Sequence, residues 1–155
     1  MTTTTIPDLE SLTFKIEQEI RVRASLEATF DALLEQLGPF NETPEGKSLA
    51  MKLEPWPGGR WFRDLGNGNG HCWATVQSIK RPTLLEFSGP LFMSQPVANN
   101  LIYRLSVEGG ETVIKFCHSA FGPVQPEHRA GVKTGWTSIH EKVRLRAERA
   151  QTIAG

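Results

Sequence analysis

Residues 126–150 read PEHRAGVKTGWTSIHEKVRLRAERA, and this stretch decides the fold. Val132, Trp136, Ile139, Val143 and Ala147 recur at steps of three and four, which places them on one stripe of an α-helix. Pro126 suits a first helical position because it has no N–H to lose, and Glu127 sits where the helix dipole favours an anion. Arg144, Arg146 and Arg149 gather at the end that favours cations. At about 1.5 Å per residue the rod is about 37 Å long. A helix of that length with one apolar stripe needs a broad apolar surface to lie on.

The middle of the chain supplies it as strands. Leu49–Leu53 predicts a strand ending at the turn EPWPGGR, and Trp61 and Phe62 belong to the next. The run GNGNG at 66–70 lies between two strands, so it reads as a hairpin tip. A phosphate-binding loop would lead instead into a helix N-terminus. His71–Lys80 and Leu84–Ser88 follow as strands. The connection GPLFMSQPVANN then carries Leu91, Phe92 and Met93, three large apolar side chains placed to plug the open end of a sheet, guard its mouth or meet a second subunit. Leu101, Tyr103, Leu105 and Val107 alternate along a sixth strand, and Ile114, Phe116, His118 and Ala120 along a seventh.

Ahead of these, Leu12–Arg23 forms an opening strand whose apolar row holds Phe14, Ile16, Ile20 and Val22, interrupted by polar Gln18. Ser25 caps a helix carrying Phe30, Leu33, Leu34 and Leu37, which Gly38 and Pro39 stop. The order predicts an α+β, helix-grip fold. A curved antiparallel sheet of about seven strands wraps the long C-terminal helix, with one or two short helices after the first strand.

The chain has 155 residues, enough for one domain with its own core, here expected over 1–155 with residues 1–11 as a loose start. Lys and Arg together number 17, as do Asp and Glu, so no long-range attraction to nucleic acid or to an anionic membrane is expected. No apolar run approaches the roughly 18 residues of a membrane span. The N-terminus has neither the basic nor the apolar region of a signal peptide, and the reading is a cytoplasmic protein. Cys72 and Cys117 fall on strands expected to lie too far apart to pair. They fit no metal spacing, nor do His71, His118 and His140, so no metal site is expected.

The segments GGRWFRDLG, GHCWATVQSIKRPTLLEFSGP, ETVIKFCHSAFG and GWTSIHEKV resemble the SRPBCC superfamily, whose fold is also called START-like or Bet v 1-like. They are most similar to its branch named after the activator of the heat-shock-protein-90 ATPase. The resemblance spans roughly residues 12–150. It implies a cavity between sheet and helix, without a common catalytic set, because the superfamily includes cyclases, partners of hydroxylation systems and lipid carriers. The co-chaperone of that name carries a further N-terminal domain for docking, for which this chain is expected to have no room.

Alternation and helical spacing turn a set of rings toward that cavity. Trp61, Trp73, Phe87 and Phe92 are candidate ligand contacts, with Tyr103, Phe116, His118, Trp136 and His140 opposite them. Trp56 and Phe121 are further candidates for the lining. Arg63, Asp64 and Arg104 could meet a ligand carboxylate or form surface ion pairs. No nucleophile stands beside a base, since Cys117 and Ser119 point to the face opposite His118. The leading expectation is a binding protein for a small hydrophobic or aromatic molecule, needing no cofactor. The alternatives are a cofactor-independent cyclase or dehydratase using His118 as acid or base, and a homodimeric or co-chaperone-like interaction module.

Overall fold

The computed structural model describes residues 8–92 and 94–154. Most of the expected loose start, residues 1–7, lies outside the described residues, as does Met93. Asp8–Leu12 form a turn and a short 3-10 helix. Arg129 donates to the Ser11 carbonyl at 2.7 Å and so ties this turn to the C-terminal helix.

Seven strands and two α-helices follow. Strand β1 is Thr13–Val22, helix α1 Leu26–Leu37, β2 Lys52–Leu53, β3 Arg60–Gly66 and β4 Asn69–Lys80. Strand β5 is Leu84–Gly89, β6 Ala98–Glu108, β7 Glu111–Phe121 and helix α2 Pro126–Ala154. The strands form one antiparallel sheet in the order β1-β7-β6-β5-β4-β3-β2. Register slips between Trp61 and Phe62 and between Val76 and Ser78 bend β3 and β4, and bulges of this kind curve a sheet around what it covers. Helix α2 runs 29 residues, about 43 Å. It packs on α1 and on β1. This is the helix-grip arrangement the long stripe calls for.

Local chemistry places each element. Ser25 Oγ accepts the Ala28 N–H at 3.1 Å and starts α1. At its other end the Trp61 indole N–H donates to the free Leu37 carbonyl at 2.8 Å. Asn67 and Gly68 both take positive φ, 54° and 76°, which makes the β3–β4 tip the Asn-Gly hairpin turn whose twist matches its strands.

One element differs from the sequence reading. The strand expected at Leu49–Leu53 is paired only over Lys52–Leu53, because the Leu49 and Met51 N–H groups donate to the Asn41 and Gly38 carbonyls. Leu49 thereby leaves the sheet and becomes part of a loop packed toward α2. Among the described residues one helix lies between β1 and β2, within the one or two expected.

Register lines up three inward rows across β1, β7 and β6. They are Ile16/His118/Leu101, Gln18/Phe116/Tyr103 and Ile20/Ile114/Leu105. Gln18 thus occupies an inward position in an otherwise apolar row. Leu101, Tyr103, Ile114, Phe116 and His118 are all buried.

Candidate functional site

Two different environments lie beneath α2. Under its middle the space is solid and polar groups are paired. Trp136 and His140, one helical turn apart, stack with ring centroids 5.7 Å apart and planes 9° from parallel. Phe116 packs against both, at 5.0 and 4.5 Å.

The hydrogen bonds assign every proton in this cluster. The Trp136 indole is only a donor, so at 3.0 Å the His118 Nδ1 must accept. Its Nε2–H then donates to Asn99 Oδ1 at 2.7 Å, and the Asn99 amide donates to the Pro90 carbonyl at 3.2 Å. In the neighbouring row Tyr103 O–H donates to His140 Nε2 at 2.9 Å, and His140 Nδ1–H donates to Gln18 Oε1 at 2.7 Å. Gln18 passes the chain on to Thr137 Oγ at 3.1 Å, which donates to the Lys133 carbonyl at 3.0 Å.

Both imidazoles are neutral in this pattern, and burial favours the same state. Desolvation lowers His118 to about 4 and His140 to about 3, from 6.5. It raises Tyr103 well above 10. Neither ring has a nitrogen left over.

Toward the N-terminal half of α2 the packing opens into a cleft of about 340 Å³. Its apolar walls are Trp73 of β4, Phe92 of the β5–β6 connection, Leu49 of the α1–β2 loop, and Val132, Trp136 and Ile139 of α2. Gly131 and Gly135 form the helical floor, and a Cβ added at either would meet nothing within 4 Å. Each glycine costs a helix interior about 1 kcal/mol relative to alanine. The cleft therefore has its depth where the helix lacks side chains.

The rim is fixed at two points. Leu91 is buried with φ 58°, a strained left-handed conformation, and its N–H donates to the Trp73 carbonyl at 2.7 Å. That turn presents Phe92 over the cleft, edge-on to Trp73 at 5.6 Å. Across the opening, Lys142 donates to the Thr43 carbonyl at 2.9 Å and lies 3.7 Å from Glu42, pinning the α1–β2 loop to α2.

One buried polar side chain on this wall has no partner. Asn41 is 1 % exposed, its backbone is bonded to Gly38 and Leu49, and neither its side-chain oxygen nor its nitrogen is hydrogen-bonded among the described residues. An unpaired buried group of this kind costs about 1–3 kcal/mol.

The sequence-derived candidates divide between the two environments. Trp73, Phe92 and Trp136 line the cleft. Trp61 and Phe87 are fully buried behind it, with rings 4.7 Å apart. Tyr103, Phe116, His118 and His140 belong to the paired cluster. Leu91, which the sequence groups with Phe92 as one apolar loop patch, instead points into the core.

Trp56 and Phe121 are mostly exposed and outside the cleft walls. Arg63 reaches the Ala50 carbonyl at 3.4 Å, and Asp64 pairs with Lys52 at 2.6 Å on the surface. Sequence reasoning missed Asn41, Leu49, Gly131 and Gly135. The two glycines did leave a signal, being four apart inside an otherwise sound helical pattern.

Among the described residues no group of three metal-ligating side chains converges, and no helix is long and apolar enough to cross a membrane. The two cysteines are free, with β5 and β6 between their strands.

No family model matches the sequence, and no curated protein matches it either. Solved structures do match in fold. A protein of Rhizobium leguminosarum superposes with a TM-score of 0.68 at 18 % identity, over 88 % of this chain and 95 % of its own. The Aha1 dimer of Colwellia psychrerythraea gives 0.64 at 16 %, over 87 % and 96 %. The di-domain ARO/CYC StfQ of the steffimycin biosynthetic pathway gives 0.66 at 10 %, over 92 % of this chain and 53 % of its own. At these identities the likeness establishes the fold alone.

Proposed function

We propose that the chain binds a small, largely apolar molecule in the cleft beside the N-terminal half of α2, with a flat or aromatic part against Trp73, Phe92 and Trp136. The observation that carries this reading is the cleft itself. It is about 340 Å³, within the range of small-molecule sites, and walled by three aromatic rings while the interior behind it is filled. The neighbours in fold include a biosynthetic ARO/CYC and an Aha1, so the fold leaves the role open and the site has to supply it.

Binding without chemistry is the better reading of the histidines. His118 has both nitrogens engaged and a pKa held near 4, so it offers a substrate neither a free lone pair nor a labile proton near neutral pH. A homodimer is a second reading, favoured by the dimeric Colwellia structure. Light scattering decides it: a mass near 34 kDa, twice the 17.2 kDa chain, supports the dimer and 17.2 kDa removes it.

The test of the binding reading is titration with 2-methylnaphthalene, followed by fluorescence of the cleft tryptophans. Saturable quenching is expected in the wild type. Gly135→Leu, whose side chain grows into open space, should abolish it. Quenching that survives in this variant would place the binding elsewhere.

A further inference from the structure

We infer that Asn99 is the positioning residue of the cleft: it fixes Phe92 against Trp136, and with that placement the preference of the cleft for flat guests over globular ones. This deepens the binding reading just given and rests on it. Asn99 is 4 % exposed and is not among the residues that line the cleft, so it acts through the rings that do.

Its side chain is the middle link between two walls. On one side it accepts His118 Nε2–H at 2.7 Å, and His118 Nδ1 accepts the Trp136 indole N–H at 3.0 Å. On the other it donates to the Pro90 carbonyl at 3.2 Å. That carbonyl belongs to the same peptide unit as the Leu91 N–H, which donates to the Trp73 carbonyl at 2.7 Å. The unit is therefore held at both ends. Leu91 follows with φ 58°, a conformation that persists only where its surroundings impose it, and it sets the direction of Phe92. The connection also leaves β5 closely packed, at Gly89, which pairs with Asn99 and where a Cβ would stand 2.5 Å from the Trp73 carbonyl. Phe92 ends 5.6 Å from Trp73 at 73° and 6.5 Å from Trp136 at 56°. All three cleft rings thus belong to one bonded set.

The chemistry at position 99 is narrow. An indole N–H only donates and a proline carbonyl only accepts, so the direction of the chain is fixed from both ends. The side chain between them has to accept on one side and donate on the other. An aspartate has no donor and a leucine has neither group. Walls held in this way are preorganised, and a guest that matches their angles binds without the cost of ordering them.

The test compares 2-naphthalenemethanol with 1-adamantanemethanol, a plate and a ball with the same number of carbons and the same hydroxymethyl group, each titrated against the Trp73 indole N–H signal. The cage is at least as hydrophobic as the rings, so a cleft with yielding walls binds it at least as tightly. The wild type is expected to prefer the flat alcohol by about tenfold. Asn99→Leu, close in shape, should remove that preference by weakening the flat alcohol and leaving the globular one unchanged. Asn99→Ser, which leaves room for a water to meet the freed polar groups, should do the same and serves where Asn99→Leu fails to fold. A residue needed only for stability would leave the ratio of the two affinities as it is in the wild type, so a folded variant that keeps the ratio overturns the role of Asn99 while the cleft stands. A wild type that binds neither alcohol, or prefers the ball, removes the reading of a flat guest in the cleft, and this inference with it.

Discussion

The two halves of the surface beneath α2 are built from the same residue types and end in opposite states. Under the middle of the helix, Tyr103, His140, Gln18 and Thr137 form one directed chain, and Trp136, His118 and Asn99 another, with no nitrogen unpaired. Toward the N-terminal end, Asn41 is as buried as His118 and has nothing to bond. Satisfied polar networks fix a unique packing, whereas a buried unpaired group is a cost the fold carries. Trp136 belongs to both, its indole N–H locked to His118 and its ring forming a wall of the cleft. The paired cluster therefore holds the wall of the open one.

That contrast can be broken most forcefully at Trp136. Trp136→Ala removes a buried ring and leaves His118 Nδ1 without its donor, and urea unfolding should show a loss of about 3–5 kcal/mol. A loss under about 1 kcal/mol would mean the cluster is not the support it is taken to be.

Acid should attack the paired half next. Folding holds both imidazoles neutral, while the unfolded chain protonates them near 6.5. Their stabilisation is complete above that pH and is lost as the pH falls toward their folded values of about 4 and about 3. With two protons taken up on unfolding, stability near pH 5 should fall by about 2–3 kcal/mol per pH unit. His140→Gln should roughly halve that slope in pH-dependent denaturant titrations; an unchanged slope contradicts the assignment.

Tyr103→Phe sharpens the comparison further, because it orphans His140 Nε2 without changing shape. A cost of about 1–3 kcal/mol is expected, with probe binding at the cleft unaltered. The smallest effect has the opposite sign. Gly135→Leu replaces a helix-interior glycine with a good helix former and should raise stability by about 1 kcal/mol while closing the cleft. A lower thermal midpoint would mean the space is not open.

Much of the fold could be read from periodicity. The stripe Val132–Trp136–Ile139–Val143–Ala147 and the alternation of β6 and β7 specified a sheet around a helix, and their faces turned out as expected except at Val107, which is exposed. Gln18 was legible as the polar break in an apolar row, and Asn99 has the same parity as Leu101 and Tyr103. Both meet the histidines. The site was less legible, because alternation says which side a ring faces and not whether another ring covers it. Trp73 and Phe87 both turn inward, yet one reaches the cleft and the other lies behind Trp61. Asn41 lies in a loop, where no period operates, and its lack of a partner is a property of the packed chain. Leu49 belongs to a run that looks like a strand and is drawn out of it by two loop hydrogen bonds.

The contrast between a closed cluster and an open cleft is tested most directly by amide and indole NMR shifts during titration with 2-methylnaphthalene. The account predicts shifts concentrated at Asn41, Gly131, Gly135 and the Trp73 indole, with the backbone amides of Leu101, Tyr103 and Phe116 unmoved. Shifts centred on Tyr103 and Phe116, or none at saturating probe, would contradict it.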